Sequence, residues 1–138
     1  MAPFGFKGKY VRDTWHVAAF LEDEEGRHGV GLGLQSPLWS DSQVFTQYGE
    51  TASNSIMYLI MEYALKAAEN TVFDNPMELL DELLPRTFEY GKKISDNSML
   101  RKTFALNALV AVDNAAWLLY CRKKGITSFD DLLPAEMK

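Results

Sequence analysis

Hydrophobic and polar positions change their rhythm near residue 50. Before it the apolar runs are short and the glycines dense, whereas after it Leu, Ala, Met and Glu dominate, a mixture that suits helix. Residues 14–21 bring Trp15, Val17 and Phe20 into one short run and predict a strand. The acidic stretch 22–25 followed by Gly26 predicts a turn, and 28–34 reads as the returning strand of a hairpin. Gly29, Gly31 and Gly33 alternate along it and leave one face bare, open to close approach by another backbone or a large aromatic ring. Residues 35–49 have no clear period and are expected to form an exposed loop carrying Trp39 and Phe45.

Three main helices are predicted next. Over 52–69, Ile56, Leu59, Ile60, Tyr63 and Ala67 keep to one helical face. Asn75 caps a second helix with Pro76 in its first turn; Leu79, Leu80, Leu83 and Leu84 repeat correctly, and Pro85 is expected to kink or end it. Ser98 is the expected cap of a third helix that runs to about Lys124 and stops at Gly125. A last short helix is predicted from Ser128, with Asp131 completing a capping-box-like pair. Strands first and helices afterwards make an α+β fold: an antiparallel hairpin or small meander followed by a bundle of three main helices.

Composition narrows the possibilities. At 138 residues and 47% hydrophobic the chain has the size of one domain and is too apolar for disorder. Its 14 basic and 19 acidic side chains leave a formal charge of −5, without the basic surface that a nucleic-acid partner requires. Cys121 is the lone cysteine, so a reducing, cytoplasmic setting is expected and the thiol is read as an inert packing group. Ala2-Pro3-Phe4 after Met1 lacks the charged-then-apolar order of a signal peptide.

The third helix is the most informative. Between Phe104 and Cys121 only Asn107, Asp113 and Asn114 are polar, and basic residues flank the run on both sides. Its length is about that of a membrane span. Asp113 would then sit near mid-bilayer at a cost of about 3 kcal/mol, and the asparagines add to it. A central helix buried on most sides is expected instead, with no membrane partner. Its polar groups, Asp113 foremost, are expected to hydrogen-bond to neighbouring backbone or to a second domain.

Ala111-Val112-Asp113-Asn114-Ala115-Ala116-Trp117, followed by Gly125-Ile126, Phe129 and Leu132-Leu133, resembles the helix that closes the N-terminal capping domain of the enolase superfamily. The likeness is to its mandelate racemase/muconate lactonising branch. The acidic turn, Gly26 and Gly29-Val30-Gly31 are similar to that family's Asp-Gly-x-x-Gly-x-Gly strand pair. The resemblance covers most of the chain and departs from the pattern at Leu32, Leu118, Cys121 and Pro134, which puts the protein in a divergent branch. It implies a single capping domain over 1–138 that lacks the family's first strand, with the catalytic barrel absent and due to begin where the chain ends.

Enzymes of that family abstract a proton α to a carboxylate and stabilise the enediolate with magnesium. The base and the metal-binding carboxylates stand on barrel strands. The resemblance therefore implies no catalytic and no metal-binding residue in this chain, Mg²⁺ in the missing barrel, and a small carboxylate substrate. The reaction would be of racemase, dehydratase or cycloisomerase type. It also implies two substrate-capping loops, 4–13 and 34–43, chiefly through Phe4, Phe6, Lys7, Trp39 and Ser40. The expected partners are the chain's own barrel and further copies in a homo-oligomer. Alone, the chain is expected to be inactive and to self-associate through apolar surface meant for the barrel. The alternative is an independent α+β binding or dimerisation module.

Other candidate chemistry is sparse. Adjacent carboxylates at 22–25 do not converge as metal ligands do and read as a solvated hairpin tip. His16 and His28 fall on different strands and are not expected to face each other. Gly29-Val30-Gly31-Leu32-Gly33 is followed by neither a helix start nor a Lys-Ser/Thr pair, so a phosphate loop is set aside.

Overall fold

The computed structural model describes residues 4–133 and 135–137, and Phe4 in its backbone alone. The protein is α+β, with two small antiparallel sheets of two strands each and four α-helices among the described residues. The first sheet pairs β1 (Phe4–Phe6) with β2 (Lys9–Val11), where a loop was expected. Lys7 and Gly8 turn the chain between them with φ of 49° and 71°, and this double positive-φ bend closes a two-residue hairpin. The second sheet pairs β3 (Trp15–Glu22) with β4 (His28–Gln35). Its turn is closed by Asp23, whose carboxylate accepts from the amides of Glu25 and Arg27 and from Arg27 Nε. The β1–β2 and β3–β4 ribbons are separate sheets, so the meander alternative does not hold. His16 lies opposite Leu34 and His28 opposite Glu22, so the histidines do not face one another.

The bare strand face meets a helix. Gly29, Gly31 and Gly33 lie against α4 (Lys102–Lys124), where Ala111 and Ala115 present only methyls. A Cβ built on Gly31 would come 1.9 Å from the Ala111 carbonyl oxygen, and one on Gly29 would come 2.2 Å from that of Ala115. Backbone therefore touches backbone. At this separation α4 reaches the outer edge of β4: Asn107 Nδ2, Asn114 Nδ2 and an Arg122 guanidinium nitrogen donate to the carbonyls of Leu34, Leu32 and His28 at 3.0, 2.8 and 2.8 Å.

The 35–49 stretch is helical rather than a loop. It forms α1 (Pro37–Ser40) and the first turns of α2 (Ser42–Ala68), whose path breaks at Gly49 with φ of 80°. No long amphipathic period marks it because the segments are short, but Asp41 caps α2 by accepting from the amides of Gln43 and Val44. Phe45, expected in the open, is buried, whereas Trp39 is exposed as expected. Asn75 caps α3 (Pro76–Ile94) as predicted. The helix continues past Pro85, which is exposed, and the Thr87 hydroxyl donates back to the carbonyls of Leu83 and Leu84. Ser98 does not cap α4; the helix begins after Arg101, whose amide donates to Asp41 Oδ2. Gly125 ends α4 in the left-handed conformation, as predicted, and a short 3₁₀ turn, Phe129–Leu132, follows Ser128.

Among the described residues, α4 is the one helix long and apolar enough to cross a membrane, and more than half of that stretch is buried inside the protein. It runs through both core clusters. One gathers Ala19, Met61, Leu79, Leu83, Leu109 and Val112 between the β3–β4 ribbon and the helices. The other gathers Val44, Met57, Ile60, Leu100, Phe104 and Ala108. Cys121 is buried with its thiol free.

The glycine face gives a graded prediction. Gly31→Ala drives a methyl into the α4 backbone and should destabilise the fold by about 3 kcal/mol or more, whereas Gly33→Ala, 3.1 Å from the Ala111 amide nitrogen, should cost about 1 kcal/mol. Urea denaturation of the two variants beside the parent measures the difference.

Candidate functional site

Two of the segments singled out as capping loops converge. The tight β1–β2 turn projects Phe6 and Lys7, and α1 projects Trp39. The Phe6 and Trp39 rings meet with centroids 4.6 Å apart and planes tilted by 39°. Lys7 Nζ stands 5.4 Å from the Phe6 ring centre. Trp39 is 67% exposed although its neighbours Pro37, Leu38 and Ser40 are buried, so one short helix has a packed side and a presented side.

The packed side explains the presentation. Asn107 Oδ1 accepts from the Ser36 amide at 2.8 Å and from the Ser40 hydroxyl at 3.3 Å, while the Thr103 hydroxyl donates to the Ser40 carbonyl at 2.7 Å. Ser40 thus anchors α1 to α4 and does not face the solvent with Trp39. Glu50, just past the Gly49 break, accepts from the amides of Arg12 and Asp13 at 2.8 and 2.9 Å and ties down the chain leaving β2. Asn107 and Glu50 were not expected to shape the site. Asn107 was visible as a polar residue in an apolar run, but its partners lie about seventy positions away in sequence. Phe4 is described by its backbone alone, so its candidacy lies outside the described side chains.

Chemically, the cluster offers two aromatic faces and one ammonium. That is a surface for covering an apolar or partly anionic ligand, and Lys7 supplies the charge that would draw a carboxylate.

Among the described residues no three His, Cys, Asp or Glu side chains cluster to hold a metal ion. At the acidic turn, Asp23 is committed to Arg27. Partial burial works against its ionisation, and the Arg27 side-chain hydrogen bond with the amides of Arg27 and Glu25 outweighs that, holding the carboxyl below its usual range.

Asp113 differs from expectation. It forms no hydrogen bond or ion pair with the described residues; the asparagines on either side of it along α4 do the bonding to β4 instead. Asp113 lines a small cavity with Pro76, Leu79, Leu80 and Leu83, and partial burial raises its pKa. Comparison with family models, curated proteins and solved structures finds no match to this chain.

Because the native state holds the Asp113 proton more tightly than the unfolded chain, stability falls as pH rises from about the unfolded value through the higher native one. Above both values the ionised group is a standing penalty, small because much of it still faces solvent. Asp113→Asn should therefore be more stable than the parent at neutral pH, with the gap closing near pH 3, roughly below both values. Urea midpoints across that range test the sign.

Proposed function

We propose that the chain is the substrate-capping and specificity domain of a metal-dependent enzyme of the enolase superfamily. The reaction is of racemase, dehydratase or cycloisomerase type and begins with proton abstraction α to a carboxylate. The chain is inactive without its barrel. The observation that carries this reading is the meeting of Phe6 and Trp39 at 4.6 Å, with Lys7 beside them. Two segments far apart in sequence, each implicated by the resemblance, present their large side chains together at one exposed place.

The helix that carries the resemblance adds support. Leu106, Val110 and Leu118 of α4 are each 38% exposed, and Asp113 lacks a partner among the described residues, so the central helix keeps one flank open for a second body. In this reading the barrel covers that flank and carries the base and the Mg²⁺. Magnesium supplies charge stabilisation to the enediolate when bound there. The capping residues have a different role, in which Phe6 and Trp39 close over the distal part of a small carboxylate substrate and Lys7 favours its negative charge. Excluding water in this way strengthens the electrostatic interactions around the reacting carbon without adding a catalytic group.

The alternative of an independent binding or dimerisation module draws on one observation. Phe20, Val30, Leu32 and Leu34 are exposed together on the outer face of the β3–β4 ribbon.

The test is to express the chain continuously with the reading frame that follows it and to assay acid sugars and N-acyl or dipeptide acids. The 138-residue chain alone should show no turnover and the longer protein should show it. Trp39→Ala and Phe6→Ala in the longer protein should raise KM about tenfold with a smaller change in kcat. Turnover by the short chain, or a KM indifferent to both substitutions, would overturn the proposal.

A further inference from the structure

The two edges of the β3–β4 ribbon are treated differently. Along β4, the carbonyls of His28, Leu32 and Leu34 are taken by Arg122, Asn114 and Asn107 of α4. Those carbonyls therefore point away from β3. In an antiparallel ladder the residue opposite such a position also turns its N–H and C=O outward. The register then assigns His16, Ala18, Phe20 and Glu22 to the outer edge of β3, opposite Leu34, Leu32, Val30 and His28. No hydrogen bond from the described residues reaches these outward groups. Nor does the strand carry the usual guards of an open edge, since it has no lysine, proline or bulge along its eight residues.

We infer that this edge pairs with the same edge of a second copy, antiparallel about a two-fold axis at Ala19. The strand is self-complementary in that register and in no neighbouring one. His16 falls opposite the partner's Glu22, and Ala18 falls opposite the partner's Phe20, so an imidazole that can donate a hydrogen bond meets a carboxylate and a small side chain meets a large one on the exposed face. All four outward residues of each strand find partners, giving about eight main-chain hydrogen bonds between the copies. Shifting the axis to Ala18 sets His16 opposite Phe20, and shifting it to Phe20 sets Glu22 opposite Ala18, so the imidazole–carboxylate pairing within the strand is lost either way. The resulting four-stranded sheet would carry both sets of Phe20, Val30, Leu32 and Leu34 side by side on its outer face. The inference does not rest on the capping reading, because α4 and the Phe6–Trp39 cluster belong to other surfaces.

Sedimentation of the 138-residue chain over a concentration series should show a reversible dimer. Hydrogen exchange should slow at the amides of His16, Ala18, Phe20 and Glu22 as the dimer forms. Ala18→Pro removes an N–H that the ribbon itself does not use and should weaken the dimer at least about tenfold while circular dichroism keeps the parent spectrum. If that variant fails to fold, charge exchange decides: Glu22→Lys should weaken association and His16→Glu with Glu22→Lys should restore it. A monomer at every concentration overturns the inference. So does a dimer in which those four amides exchange freely, a monomer in which they are protected by some other strand, or a charge exchange without rescue.

Discussion

The close approach of β4 to α4 is the contact on which the rest of the molecule depends. It exists because three alternate strand positions lack side chains and the helix offers Ala111 and Ala115 opposite them. Dispersion falls steeply with separation, so removing a layer of side chains lets two backbones share contacts that bulkier residues would forbid. Only at that distance can the short side chains of Asn107 and Asn114 reach the carbonyls of β4. Asn107 then extends the effect, because its oxygen also receives the Ser36 amide and the Ser40 hydroxyl. The orientation of α1, and with it the exposure of Trp39, follows from the same contact.

Polar groups in this fold are mostly used as joints. Asp41 caps α2 and also receives the first amide of the α4 boundary, so one carboxylate ties together two helices sixty residues apart in the chain. Glu50 does the same for the end of the first hairpin. Asp113 is the exception, a half-buried residue lining a small cavity with Leu79, Leu80 and Leu83 and with no hydrogen-bond or ion-pair partner among the described residues. A structure that satisfies its polar groups elsewhere leaves this one open on the flank that the capping reading assigns to a second body. In that reading the Phe6–Trp39–Lys7 cluster is the surface that covers a ligand, since it presents aromatic area and an ammonium.

Much of the architecture could be read from local pattern. The β3–β4 hairpin, its charged turn, the Asn75 cap with Pro76 behind it and the Gly125 stop depend on residues close together in sequence, so short-range rules suffice. The helical 35–49 stretch was not legible, because α1 is four residues long and its apolar side chains are justified only by what they pack against. Ser98 had the chemistry of a cap but lost the role to Arg101, whose amide finds an acceptor in Asp41, supplied from across the fold. Pro85 looked like a helix end, yet packing of Leu83 and Thr87 on the same turn carries α3 past it.

The candidate site shows the same division. Composition and spacing by themselves determined an α+β chain with a glycine-faced strand and an apolar central helix, because those properties reside in neighbouring residues and their period. Phe6, Lys7 and Trp39 were marked not by composition or spacing but by what the resemblance to a capping domain implies. Only the tertiary structure decided that Phe6 and Trp39 touch, that Ser40 turns inward, and that among the described residues β4 has its edge closed while β3 does not. Each of those outcomes depends on groups brought together across tens of residues, and a distance of that kind is set by the packing of whole elements, not by any local preference of the chain.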